Sequence, residues 1–519
     1  MPAPSLFPEV APRHATRREW VALGVIALPC MVYAMDLTVL NLALPAISAD
    51  LRPSASQLLW IIDIYGFMVA GLLITMGTLG DKLGRRRLLL IGAAAFAAAS
   101  VAAALSTTAE ALIATRALLG IAGATLAPST LSLISNMFRD ERERRVAIGI
   151  WISSYSVGGA IGPLVGGVIL QYFAWPAIFW AAVPVMLLLL VVGPFLLPEY
   201  RDANAGRLDL GSVLLSLVAA LGGVAVLKRV AEGQPGLATG VVAAIAFLAA
   251  VAFLRRQRRI DYPLLDIGLF RQPRFAAAIC TYALTSFAMF GVYIFVSQHL
   301  QLVLGLSPLV AGVCTVPWAL SFVVGSMLTP AMAQRWSAPR TMLGGLVIAA
   351  FGFAGMTLAG GAQGLVWLMG GMVLMGLGMA PVFALGNDIV ISSAPPERAG
   401  AASALSETSS EFSGALGIAV FGSLATSLYR AGMAGQWPAG LSAEAMASAS
   451  TLGGALTVAD GLPVALAEPL RWAARAAFVD GLQAAAVLGT GIMVASALLA
   501  WRMFRTPSKP ADAPVAMGG

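Results

Sequence analysis

Runs of about 18 or more apolar residues recur along the chain, separated by short polar segments. Each run is long enough to cross a hydrocarbon core of roughly 30 Å, and in lipid it satisfies its backbone polar groups only as a helix. The runs are continuous. A membrane β-barrel would show alternating strands of about ten residues instead, so that class is excluded. Fourteen spans are predicted, at approximately 20–47, 57–80, 86–105, 110–136, 145–170, 175–197, 208–231, 236–254, 275–303, 308–333, 341–360, 364–394, 399–429 and 476–501.

Composition strengthens this reading. Of 519 residues, 59% are hydrophobic and 11% charged, against roughly 25% charged in a soluble domain. The basic N-terminal stretch leads into an apolar run that reaches Pro45 and contains Asp36. That run is too long for a cleavable signal and reads as a first span. Cys30, Cys280 and Cys314 all fall in apolar segments, without disulfide or metal-ligand spacing.

The net charge of +7 raises the question of nucleic acid. With the N-terminus inside, 25 of the 32 Lys and Arg residues lie in inner segments. Six lie in outer ones, at Arg52, Lys228, Arg229, Arg430, Arg471 and Arg475. This is the positive-inside asymmetry of an inner-membrane protein, and both ends are expected in the cytoplasm. No nucleic-acid partner is expected.

The expected organisation is an N-terminal six-helix bundle at 14–200 and two inserted spans with a basic cytoplasmic loop at 201–274. A C-terminal six-helix bundle follows at 275–505, then a short cytoplasmic tail at 506–519. The stretch 431–474 is extracytoplasmic. It reads either as short amphipathic helices over the outer mouth or as an interfacial linker.

Function is sought where a costly charge is tolerated within a span. Away from the span ends, the acids are Asp36, Asp63, Asp388, Glu407 and Glu411, and the one base is Arg116. Glu407 and Glu411 are four residues apart and share a helix face. Two carboxylates so close in a low dielectric resist joint ionisation, so one holds a proton near neutral pH. Such a group can exchange a proton for a cation. Asp388 lies near the cytoplasmic end of its span, where snorkelling or a structural ion pair also explains it. Arg116 either neutralises a neighbouring acid or takes part in proton relay. His299 reads as a satisfied interfacial histidine.

These residues resemble the major facilitator superfamily, and within it the fourteen-helix drug–proton antiporters. Gly77, Gly80, Asp81, Gly84, Arg85, Arg86 and Arg87 match the signature loop between the second and third helices. Gly149, Gly158, Gly162, Pro163, Gly166 and Gly167 are similar to the antiporter motif of the fifth. Asp36, Thr38, Asn41, Ala43, Leu44 and Pro45 match the first-helix motif of this branch, and Arg116 falls at the fourth-helix arginine associated with proton transfer. Acids in both of the first two helices, with glutamates in the thirteenth, resemble the quaternary-ammonium and biocide (Qac-type) efflux proteins. The departure is the tenth span, which lacks the acid some relatives carry there.

The resemblance implies a major facilitator fold of two six-helix bundles plus an inserted pair. It also implies a monomeric drug–proton antiporter in the bacterial inner membrane, taking lipophilic cations such as quaternary ammonium compounds, dyes and bisguanidines. Tyr33, Trp60, Tyr65, Phe287, Phe290, Tyr293 and Trp318, with Met31, Met35, Met289, Phe295 and Phe383, are candidate cavity residues, since aromatic faces attract cations and methionine adapts its shape. No catalytic triad, metal cluster or GxxxxGK[ST] loop is present in the sequence, so neither an enzyme nor ATP drive is expected. The resemblance implies that the proton gradient drives transport, and no cofactor is expected. Export of neutral or zwitterionic metabolites or antibiotics on the same fold is the alternative. A membrane sensor or passive channel is a rival of another class.

Overall fold

The computed structural model describes residues 14–201, 209–260, 272–361, 363–392, 399–437 and 441–505. Among these, fourteen helices are long and apolar enough to cross a membrane. Spans 1 to 4 are Arg17–Leu51, Ala55–Leu83, Arg85–Ala104 and Ala109–Met137, and spans 5 and 6 are Arg142–Tyr172 and Ala177–Leu196. The inserted pair, spans 7 and 8, is Leu210–Ala231 and Leu237–Gln257. Spans 9 to 11 are Pro273–Val303, Pro308–Trp336 and Ala338–Met356, and spans 12 to 14 are Gly364–Val390, Leu405–Met433 and Val464–Arg502.

The helix starts are set by short polar residues that satisfy the orphan N–H groups of the first turn. Thr16 with Glu19, and Ser54 with Gln57, form capping boxes at spans 1 and 2. Thr108 caps span 4, and Asp140 caps the helix that carries span 5. Two backbone N–H groups, from Arg142 and Glu143, donate to the Asp140 carboxylate. They hold it below the usual carboxylate range. Asp209 caps span 7 and also accepts a hydrogen bond from Arg256 at the end of span 8, which closes the cytoplasmic end of the inserted hairpin.

Contacts sort the chain into two compact units. The first comprises Met1–Leu264, Phe290–Val316 and Gly414–Leu482. It holds spans 1 to 8, the outer part of spans 9 and 13, and the beginnings of spans 10 and 14. Its core runs through Ile26, Tyr33, Tyr65, Phe96, Leu119 and Phe138. The second comprises Leu265–Met289, Pro317–Ser413 and Gln483–Gly519. Spans 11 and 12 lie wholly in it and meet through bare backbone, for Gly345 faces the Gly378 carbonyl and Gly352 the Gly371 carbonyl. Small residues let helices approach closely where lipid supplies no hydrophobic drive.

The start of span 14 differs most from the sequence expectation. Span 14 belongs to a helix that starts at Val464 rather than near residue 476. The stretch before it carries the short helices Ala443–Ser448 and Leu452–Asp460. The second of these buries Leu452, Gly453 and Ala455, with Gly453 against Ser48 of span 1. This segment is therefore packed structure on the outer end of span 1, not a bare linker. Hydropathy placed the start of span 14 late because Glu468, Arg471 and Arg475 interrupt the apolar run. Arg471 pairs with Asp460 and Glu468, and Arg475 donates to the Leu302 carbonyl.

Candidate functional site: charges within the spans

Asp36 and Arg116 form an ion pair between spans 1 and 4. The guanidinium is 1% exposed and the carboxylate 13%. Arg116 also donates from Nε to the Ile61 carbonyl at 3.2 Å and lies over the Tyr65 ring, 4.6 Å from its centroid. A planar fork with five donors can hold an acid, a carbonyl and an aromatic face together, which a lysine cannot do. Of the polar neighbours on span 1, Thr38 donates to the Met35 carbonyl and Asn41 donates from Nδ2 to that of Leu37, while the buried Asn41 Oδ1 has no hydrogen-bond partner among the described residues. Of the two sequence readings of Arg116, the geometry supplies the ion-pair partner.

Asp63 is placed differently from the expectation of a substrate-facing acid. Its carboxylate lies 2.8 Å from the ammonium of Lys228 in span 7, and neither side chain is exposed. The same ammonium sits 3.7 Å from the centroid of the Trp60 ring. Sequence reasoning counted Lys228 among the outer topological charges because it falls in the last turn of its span. Its partner belongs to another helix, and no local pattern signals that pairing.

Glu407 and Glu411 lie in the second unit, on one face of span 13. Glu407 is exposed and Glu411 partly so. Ser410, on the intervening turn, shares a 2.8 Å hydrogen bond with Ser286 of span 9. Tyr282, one turn before Ser286, is buried. It starts a chain of aromatic contacts, with Phe383 at 5.0 Å, then Phe322 at 5.9 Å and Trp318 at 6.3 Å between centroids. Tyr282 and Phe322 are additions to the sequence-derived set. Asp388 is exposed and has no ion-pair partner among the described residues.

The loop between spans 2 and 3 is held by charge pairs. Asp81 accepts from Arg85, whose Nη1 also reaches the Pro128 carbonyl of span 4. Gly84 has a φ of 107°, a conformation side chains rarely adopt, and a Cβ there would strike the Glu199 carboxylate. Glu199 in turn accepts from the backbone N–H of Arg86, and the Arg86 side chain donates to the Pro194 and Leu197 carbonyls at the end of span 6. Gly80 lies against the Arg85 side chain, Gly77 faces Pro128, and Arg87 is exposed. Glu199 is a partner that the sequence reading did not name.

The glycine–proline motif packs span 5 on its neighbours. Gly158 meets the Met31 carbonyl, Gly162 meets Met35 and Thr38, and Gly166 meets Val39. Gly167 lies against Pro308 at the start of span 10, and Gly312 of that span against the Pro163 carbonyl. Gly149 departs from the expectation. It has open space beside it and is not a packing residue here.

The aromatic candidates need a similar correction. Tyr33, Tyr65 and Tyr293 are buried in helix packing rather than lining open space. The faces of Trp60 and Tyr65 are already taken by the chain's own cations, Lys228 and Arg116. Phe290 packs on Gly414, while Phe287 is partly buried. His299 is buried, and its ring nitrogens have no hydrogen-bond partner among the described residues, so it is not the satisfied histidine expected. The three cysteines are unpaired thiols. Among the described residues, one group of three side chains has metal-ligand proximity, His14, Asp140 and Glu143. Its carboxylates serve as helix cap and as acceptor for the Ala15 backbone N–H.

The helices and their motifs match known proteins over most of the chain. Residues 26–418 match the family described as Major Facilitator Superfamily. The multidrug efflux pump LfrA of Mycolicibacterium smegmatis is 44% identical over 489 residues, covering 94% of this chain and 97% of that protein. The methyl viologen resistance protein SmvA of Salmonella typhimurium is 32% identical, covering 89% and 93%. Among solved structures, a bacterial homologue of the human lysosomal transporter Spinster, inward-facing and unoccupied, aligns with a TM-score of 0.63. That alignment covers 95% of this chain and all of that one at 17% identity, so it speaks for the fold alone. With fourteen apolar spans, the signature loop and the family match in agreement, the chain belongs to the major facilitator superfamily and is a multi-pass protein of the bacterial inner membrane.

Proposed function

We propose that this protein is a proton-coupled antiporter that exports lipophilic cationic drugs and biocides by alternating access, acting as a monomer without a cofactor. The observation that carries this reading is the Asp36–Arg116 pair, an acid within a span whose countercharge is a neighbouring side chain. Such a carboxylate has three competing partners: Arg116, a proton and an organic cation. Protonation of Asp36 releases its hold on a bound cation, and loss of the proton restores it. The exposed Glu407 and the partly exposed Glu411 supply further carboxylates, beside an aromatic series suited to flat or lipophilic cations. The relatives named as a multidrug efflux pump and a methyl viologen resistance protein support export of foreign compounds.

The electrical balance constrains the cycle. A membrane potential contributes about 2.3 kcal/mol per charge per 100 mV, and it favours export of a cation only if more positive charge returns inward. For the potential to assist, one monovalent cation leaving is exchanged for at least two protons entering; a one-for-one exchange is driven by the pH gradient alone. The test is purified protein in liposomes carrying a pH-sensitive dye. Adding ethidium releases protons from the wild type and not from the Asp36→Asn variant. Ethidium transport that persists after both the pH gradient and the potential are collapsed overturns the reading.

A further inference from the structure

Trp60 and Asp63 are three residues apart on span 2 and so present one face. Together they offer a carboxylate and the negative face of an indole to a single point, occupied by the Lys228 ammonium at 2.8 Å and 3.7 Å respectively. This is the chemistry that recognises an alkylammonium ion, with the charge met by the acid and the remaining surface by the ring. We propose that Trp60 and Asp63 form an alkylammonium site that this chain fills with its own lysine, and that its occupancy seats the inserted helix pair on span 2.

The reason to assign the seating to this site is how little else is buried there. Only 17% of the apolar window of span 7 is buried, and span 8 packs chiefly on span 7, as where Gly222 meets Ala246. Leu214, Phe247 and Leu248 point outward. Lipid tails are as apolar as these side chains, so no hydrophobic drive holds the pair in place. What remains is a narrow seam. Leu217 fills the notch over Gly71, and Val224 joins Phe67, Ala415 and Ala419 in a small cluster. At the outer end the Ser56 N–H donates to Glu232, and Arg430 donates to the Ala231 carbonyl. Lys228 is the one cation of this seam whose charge is wholly buried. Asp63 is thereby neutralised by a partner that is wholly buried with it, which separates it from the partly open Asp36 and from the glutamates.

Chemical rescue tests it. Truncating Lys228→Ala removes a three-carbon stem and its ammonium, which n-propylammonium matches in size and charge. The full-length protein is purified in nanodiscs, and cysteines introduced as Gly71→Cys and Leu217→Cys report seating by the yield of their oxidative cross-link. The yield is expected to fall several-fold in Lys228→Ala and to recover with millimolar n-propylammonium, along with the melting temperature. Neither n-propanol nor the Asp63→Asn/Lys228→Ala double variant with n-propylammonium should show the recovery. Rescue by the alcohol, rescue of the double variant, or an unchanged cross-link in Lys228→Ala overturns the proposal. If Lys228→Ala does not fold, melting temperatures of Lys228→Met variants decide. Asp63→Asn/Lys228→Met is expected to be more stable than Asp63→Asn, whose buried ammonium is left uncompensated, and the reverse order overturns it.

Discussion

Arg116 donates from Nη1 to Asp36 across 80 residues of sequence, from span 4 to span 1, and from Nε to the Ile61 carbonyl. One guanidinium thus ties together three helices while leaving an acid that is partly open to its surroundings.

Breaking this pair from either side leaves a charge without its partner, which costs about 3–5 kcal/mol when the site is buried. Arg116→Ala and Asp36→Asn are therefore both expected to lower the thermal midpoint of the purified protein. The Asp36→Asn/Arg116→Gln double variant should recover most of the stability and none of the ethidium export. If the double variant is as unstable as either single one, the pair is not the source of the loss.

The glutamates of span 13 should behave oppositely. Glu407 is exposed, so Glu407→Gln is expected to change stability by no more than about 0.5 kcal/mol. Export of ethidium should nevertheless be lost in it, and in Glu411→Gln. Melting curves and efflux assays on the same preparations separate the two effects.

Neighbouring glycines of span 5 should differ sharply. A methyl group at Gly158 meets the Met31 backbone carbonyl, which cannot move aside. Gly158→Ala should cost about 1–3 kcal/mol by overpacking. Gly149→Ala points into open space and should be silent. Equal loss of function in both would refute packing as the basis of the motif.

Gly84 combines a positive φ with contact against Glu199. Gly84→Ala is expected to cost about 1–3 kcal/mol in backbone strain and to slow transport. Glu199→Gln should slow it less, because the Arg86 N–H and the carbonyls of span 6 still hold the loop. Initial rates of ethidium efflux in inverted vesicles measure both.

Asp209 links stability to pH. Its hydrogen bonds from Arg256 and Ser212 lower its pKa to about 2. A carboxylate whose folded pKa is depressed stabilises the fold above its unfolded value near 3.9, and this contribution disappears as pH falls through the folded value. The stabilisation is thus complete at neutral pH and lost between roughly pH 4 and pH 2. Asp209→Ala should cost about 1 kcal/mol at pH 7 and nothing at the bottom of that window, as followed by thermal melts.

What the residues determined alone is what depends on neighbours along the chain. A continuous apolar run must become a helix in lipid, so the spans could be counted. The bias of Lys and Arg oriented them, and the glycines and charges of 77–87 and 149–167 identified the motifs. Asp36, Arg116, Glu407 and Glu411 were legible because a charge is conspicuous in an apolar run. Their partners were not. Whether Asp63 meets a substrate or Lys228, and whether Trp60 and Tyr65 face a cavity or the chain's own cations, depends on which helices lie side by side. Hydropathy carries no record of that choice, because every face of these helices is apolar enough for lipid. Close packing through glycine and a few buried charge pairs make it, and they exist only once the helices have assembled.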